Sequence, residues 1–216
     1  EKAGFAIMRS NFFESALMKK SVINDDFRRK YLSDPQRPNR FTARAIVFEG
    51  PEDYRARIDD PALDIDEHCM LVVRNVGPVG YPGSAEVVNM LPPKRLVKAG
   101  ISCLPTLGDG RQSGTSGSPS ILHISPEAAA GGGIALLATG DMITVDLDSH
   151  RVDVDLSEEE LAARRARWQR PELCNQTPWQ ELYRKSVSQL DTGAVMETEE
   201  EYVRILDEHP AGRHSH

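Results

Sequence analysis

Met142-Ile143-Thr144-Val145-Asp146-Leu147, then Asp148-Ser149-His150, then Arg151-Val152-Asp153-Val154-Asp155-Leu156 is the stretch that decides the fold class. Both arms alternate apolar and polar residues, the period of a strand, and the polar break between them reads as the turn of a hairpin with one wet face. A hairpin pairs its strands locally, which a doubly wound parallel sheet does not need. Outward from it, the apolar run Cys69-Met70-Leu71-Val72-Val73, inside the segment 68–76, reads as a buried strand. Further strands are expected at 4–8, 16–23, 44–48, 101–104 and 121–124. Helices are expected at 25–32, from Pro51, over about 85–99 with an interruption at Pro92-Pro93, at 180–190 and at 199–207. Ser157-Glu158-Glu159-Glu160 is a capping box opening another helix that runs to about Trp168. The strands are numerous and several pair locally. The expectation is therefore an α+β domain, a curved or closed β-sheet with helices packed outside, over 1–208, followed by a frayed tail at 209–216.

Composition narrows the partners. Among 216 residues, 33 acids face 26 bases, a net charge of −7. No basic surplus is available to displace counterions, so nucleic acid is not expected. No apolar run is long enough to span a bilayer, so no membrane partner is expected. Cys69, Cys103 and Cys174 are few, odd in number and far apart, which fits a reduced, cytoplasmic protein better than a disulfide framework. Cys69 reads as a small buried thiol, and the spacing of the three gives no local metal-ligand pattern. The opening Glu1-Lys2-Ala3-Gly4 has neither an initiator Met nor a signal-peptide pattern, so a piece of a longer polypeptide is expected.

Chemistry concentrates in two loops. Asp109-Gly110-Arg111-Gln112-Ser113-Gly114-Thr115-Ser116-Gly117-Ser118-Pro119 is one; Gly77-Pro78-Val79-Gly80-Tyr81-Pro82-Gly83, leading to Glu86, is the other. A serine hydroxyl such as Ser113 is inert at neutral pH unless a base or a cation activates it. No Gly-x-Ser-x-Gly elbow and no triad histidine accompanies it, so a metal held elsewhere is the better activator. Three readings of the loop stay open: an active serine, a plain glycine-serine linker, and an anion nest in which Thr115, Ser116, Ser118 and backbone N–H groups cradle a phosphate or carboxylate. No Gly-Lys-Ser/Thr follows, so it is not a Walker loop. Glu86 by itself reads as a helix-start acid, with one ligand of a hard cation such as Mg²⁺ as the sharper alternative. His123 reads as a satisfied core histidine. Asp64, Asp66, Glu67 and His68 read as a solvated turn, and Trp168 and Trp179 as packing the C-terminal helices onto the sheet.

These loops resemble the C-terminal domain of the dihydroxy-acid dehydratase / phosphogluconate dehydratase family. The resemblance rests on Gly77-Pro78-x-Gly80-x-Pro82-Gly83-x-x-Glu86 and Asp109-Gly110-Arg111-x-Ser113-Gly114. It extends through His123-Ile124-Ser125-Pro126-Glu127-Ala128, Gly131-Gly132, Ile134-Ala135-Leu136 and Gly140-Asp141. It implies a swivelling β/β/α domain, β-barrel-like, in a hydro-lyase that converts a 2,3-dihydroxy carboxylate to a 2-keto-3-deoxy acid. It implies Ser113 as the alkoxide base, Glu86 as a Mg²⁺ ligand and Thr115 in contact with substrate. It also implies an iron–sulfur cluster whose ligands lie in an N-terminal domain of the same polypeptide, and assembly as a homo-oligomer. This sequence has Gly108 where the family usually has Thr, and Gln112 where an apolar residue usually precedes the serine. The loop is closer to the sugar-acid (aldonate) branch, and the extra polar residue suits a polyhydroxylated substrate. Without the resemblance, the competing readings are a module that binds an anion or sugar phosphate through 109–119, and a purely structural or dimerising domain.

Overall fold

The computed structural model describes residues 4–83, 90–113, 119–174, 176–197 and 199–208. Eight strands form one sheet: β1 (Phe5–Met8), β2 (Ser15–Lys19), β3 (Arg40–Phe48), β4 (Cys69–Val73), β5 (Thr106–Gly108), β6 (Ser120–Ser125), β7 (Met142–Asp146) and β8 (Arg151–Val154). Their order is β1-β2-β6-β5-β4-β3-β7-β8. The two edges meet at a seam where Arg9 bridges Arg151. There the Arg9 N–H donates to His150 O at 2.9 Å, and the Val152 N–H donates to Arg9 O at 2.8 Å. Asn11 extends the seam with its side chain: Nδ2 donates to Val154 O at 2.8 Å, and Oδ1 accepts from the Val154 N–H at 3.0 Å. The result is a nearly closed barrel-like sheet with its free edges stitched together, the expected α+β architecture.

The 142–156 hairpin is present as β7 and β8, with Ile143, Val145, Val152 and Val154 buried and Thr144 and Asp153 on the wetter face. β3 serves two neighbours. Residues 40–44 pair antiparallel with β7, and 44–48 pair parallel with β4. β4, β5 and β6 continue in parallel, so β3 to β6 all end at the same rim. β4 is buried on both faces. Met70 and Val72 join the larger core with Ala45, Val47, Leu107, Ile121 and Val145. Cys69, Leu71 and Val73 join a second core with Phe48, Ile65, Leu96 and Leu104. That double burial is why β4 has no polar alternation.

Six helices accompany the sheet among the described residues: α1 (Asp25–Tyr31), α2 (Pro51–Arg57), α3 (Lys94–Lys98), α4 (Glu158–Arg167), α5 (Pro178–Ser186) and α6 (Glu199–Glu208). Asn24 caps α1 by accepting from the Phe27 N–H, and Ser157 with Glu160 forms the expected capping box of α4. Thr177 and Gln180 form a second capping box on α5. No helix of the described residues is long and apolar enough to cross a membrane.

Several local expectations shift, among them the helix expected at 180–190, which spans Pro178–Ser186. The strand expected at 101–104 lies instead at Thr106–Gly108. Pro105 has no N–H, so pairing with β4 begins at its carbonyl, which accepts from the Leu71 N–H at 2.9 Å; Leu104 becomes a buried plug of the second core. The strand expected over 16–23 stops at Lys19 and turns into a 3-10 helix at Lys20–Val22. The described part of the helix expected over 85–99 starts only after Pro92-Pro93, while 84–89 lie outside the described residues. Trp179 is 77% exposed and packs nothing onto the sheet, whereas half-buried Trp168 stands against Gly131. Residues 209–216, the expected tail, lie outside the described residues.

Candidate functional site

The loops that the sequence singles out leave the shared rim of the parallel strands. The loop toward Glu86 leaves β4, the loop carrying Ser113 leaves the neighbouring β5, and the Pro126-Glu127 segment leaves β6 after a cis Ser125–Pro126 bond. The outer ends of adjacent parallel strands are where open α/β sheets bind ligands. Ser113 is buried, at 6% exposure. Glu86 and Thr115 lie outside the described residues, as does the rest of 114–118.

Two fully buried carboxylates tie the three loops together. Asp109 accepts from the N–H groups of Asn75 at 3.1 Å, Val76 at 3.0 Å and Ala128 at 2.8 Å. One side chain thus joins the segments after β4, β5 and β6. Its burial pushes its pKa up to about 7, with the neighbouring Glu127 charge adding to the rise and the three backbone donors opposing it. Glu127 accepts from the Val79 N–H and the Gly80 N–H, each at 2.8 Å, and from Gln189 Nε2 at 2.9 Å. Arg184 on α5 takes the opposite side of the same turn, donating from Nε to Val79 O at 2.9 Å and from Nη2 to Gly80 O at 3.4 Å.

This seat explains the glycines of the first loop. A Cβ on Gly77 would come within 2.6 Å of Glu127 Oε2, and one on Gly80 within 2.8 Å of the Asn75 backbone. The glycine-proline turn is shaped to lie on Glu127. Gly108 has a similar reason: its Cβ would stand 2.9 Å from both Val73 Cγ1 and Val73 O. Further on, a Cβ on Gly132 would stand 1.7 Å from Pro126 O.

Arg111 reaches both His123 and Tyr183 electrostatically. Burial, then the Arg111 charge, holds the His123 imidazole below its usual pKa, so it is neutral at neutral pH. Burial pushes the Tyr183 phenol up, against the pull of Arg111. His123 is not the satisfied core histidine that the sequence led us to expect. It sits at φ 58° in β6, and its buried Nε2 has no hydrogen-bond partner among the described residues. The left-handed backbone breaks the strand's alternation, which periodicity does not register.

Gln112, half-buried, uses its side-chain amide within the fold. Its Oε1 accepts from Ser120 Oγ at 2.8 Å and its Nε2 donates to Ser113 O at 3.3 Å. Sequence reasoning also missed Asp109, Glu127, Tyr183, Arg184 and Gln189 as parts of one assembly. The signal available was a carboxylate just past the end of each of two apolar strands, Asp109 after β5 and Glu127 after β6.

No group of three His, Cys, Asp or Glu residues able to hold a metal occurs among the described residues. Cys69 is buried, Cys103 half-buried and Cys174 exposed, all as free thiols. The residues described do not fit an iron–sulfur cluster.

Comparison with known proteins gives the family. The family described as "Dihydroxy-acid/6-phosphogluconate dehydratase C-terminal" matches residues 1–194, and the chain belongs to that family. It is 54% identical to a D-xylonate dehydratase of Caulobacter vibrioides over all of this chain and 36% of that protein. It is 46% identical to an L-arabinonate dehydratase of Rhizobium leguminosarum bv. trifolii, over 70% of this chain and 26% of that protein. It is 33% identical to a dihydroxy-acid dehydratase of Archaeoglobus fulgidus, over 91% of this chain and 33% of that protein. The chain matches between 26% and 36% of the length of these curated relatives.

Proposed function

We propose that this chain is the substrate-side C-terminal domain of a cytoplasmic hydro-lyase that dehydrates a sugar acid to its 2-keto-3-deoxy acid. In this reading Ser113 is the base, Glu86 a Mg²⁺ ligand and Thr115 a substrate contact. The chain is inactive without an N-terminal domain and works in a homo-oligomer. The observation that carries the reading is the knot at the rim: Asp109 binds the segments after three adjacent strands to one another, in the same loop as buried Ser113. Family membership supports the reaction class. The higher identity to relatives named for D-xylonate and L-arabinonate than to the one named for dihydroxy acids supports a sugar acid.

The proton path uses this chain's own hydroxyl. Ser113, as the alkoxide, takes the proton from C2; the C2–H electron pair becomes the C2=C3 bond, and the 3-hydroxyl leaves as hydroxide. Ser113 then gives that proton to the hydroxide, which departs as water and restores the alkoxide. The enol left behind tautomerises to the 2-keto acid. An alkoxide at neutral pH needs a fixed positive neighbour. The resemblance implies Mg²⁺ and an iron–sulfur cluster; in this reading their ligands lie outside the described residues, and no step here is drawn through them.

The test is product formation by the full-length protein that contains this chain, supplied in turn with D-xylonate, L-arabinonate and a branched 2,3-dihydroxy acid. A 2-keto-3-deoxy product from the sugar acids is expected. Release of no keto acid from any of them, together with tight calorimetric binding of a phosphosugar to the chain alone, overturns the reading in favour of an anion-binding module.

A further inference from the structure

Gln112 stands directly before Ser113, and the fold employs both ends of its amide. Oε1 accepts from Ser120 Oγ at 2.8 Å, and Nε2 donates to the Ser113 carbonyl at 3.3 Å. Ser120 is the first residue of β6 and is 1% exposed, and Ser113 is 6% exposed. The side chain therefore spans the neck of the loop, from the segment leaving β5 to the strand that receives the chain back. Ser113 sits at that neck, its carbonyl held by the side chain of the residue before it.

A serine Oγ is aimed by χ1, and the allowed χ1 depends on the residue's own φ and ψ. Holding the Ser113 peptide therefore narrows where Oγ can point. We propose that Gln112 is a positioning residue: its amide fixes the Ser113 peptide against β6 and so aims the Ser113 hydroxyl at the proton it removes. This deepens the assignment of Ser113 as base and rests on it. The polar residue at 112 then serves the base and not the substrate's extra hydroxyls. An apolar side chain there would fill similar space and make neither bond. An error of about 1 Å in a reacting group can cost about 100-fold in rate.

The experiment uses the full-length, metal-loaded enzyme and a sugar acid carrying deuterium at C2. Gln112→Met removes both bonds; Gln112→Glu keeps an acceptor for Ser120 and loses the donor to Ser113; Ser120→Ala removes the other anchor. For Gln112→Met we expect kcat to fall about 10- to 100-fold with KM changed by less than about threefold. The primary deuterium isotope effect on kcat should rise above the wild-type value, because proton removal becomes the slower step. Gln112→Glu and Ser120→Ala should fall between the two, and Gln112→Met/Ser120→Ala should be no worse than Gln112→Met alone. A loss that only reflects fewer folded molecules would leave the isotope effect unchanged, and that result overturns the inference. So does wild-type kcat in Gln112→Met, or, should that variant not fold, in both Gln112→Glu and Ser120→Ala. Ser113→Ala runs alongside. If it retains turnover, the base assignment and this inference fall together; if it is inactive while the Gln112 variants behave as wild type, this inference alone falls.

Discussion

Asp109→Asn gives a pH signature that follows from the geometry of one side chain. Asp109 is fully buried among three backbone donors, and burial outweighs those donors, raising its pKa from 3.8 to about 7. The folded protein therefore holds a proton at Asp109 that the unfolded chain has already lost between about pH 4 and about pH 7. More protons bound in the folded state means that stability falls as pH rises through this window. Each pKa unit corresponds to 1.36 kcal/mol, so a rise of about three units amounts to about 4 kcal/mol across the window. Asparagine does not titrate. Its amide N–H₂ also faces backbone donors, which lowers the variant's stability by a fixed amount and leaves the slope untouched. The assay is urea unfolding of the 216-residue chain followed by circular dichroism from pH 4 to pH 8.5. Stability of wild type minus that of Asp109→Asn should fall by about 4 kcal/mol between pH 4 and pH 7 and level off above about pH 8. Contributions from groups that do not interact with Asp109 cancel in the difference. A difference that is flat, or that grows with pH, would refute the claim that desolvation dominates at this carboxylate.

Two further outcomes test the rim and the seam. Gly77→Ala places a methyl 2.6 Å from Glu127 Oε2; it should cost about 1–3 kcal/mol, seen as a lower melting temperature, and Glu127→Gln should leave that clash in place. Asn11→Ala removes the side chain that pairs with Val154 N–H and C=O at 3.0 and 2.8 Å; a loss of about 1–3 kcal/mol is expected, with faster hydrogen exchange at the Val154 amide while exchange at Leu71 in β4 stays slow.

Much of the fold was legible because local patterns carried it. Alternation across 142–156 announced a one-sided hairpin, and the unbroken apolar run at 69–73 announced a strand covered on both faces. Ser157 and Glu160 fixed a helix start three residues apart. What stayed hidden depends on distant partners. β5 is only Thr106-Leu107-Gly108, too short for a period to show, and its start is set by a proline that cannot donate. Barrel closure joins Arg9 to Arg151, a pairing that neither segment signals alone. The site divides in the same way. The two glycine loops stood out by composition. The burial of Asp109 and Glu127 did not, because a carboxylate among apolar neighbours is tolerated only where backbone donors from other loops converge on it. The two bonds of Gln112 stayed hidden for a related reason: its partner Ser120 lies across the loop, on the strand that receives the chain back.

The most direct measurement is turnover of Ser113→Ala in the full-length enzyme with its preferred sugar acid, read with substrate binding in parallel. The account predicts a fall in kcat of about 10² to 10⁴-fold with binding preserved, and no exchange of the C2 hydrogen with solvent. Turnover within about threefold of wild type would contradict it.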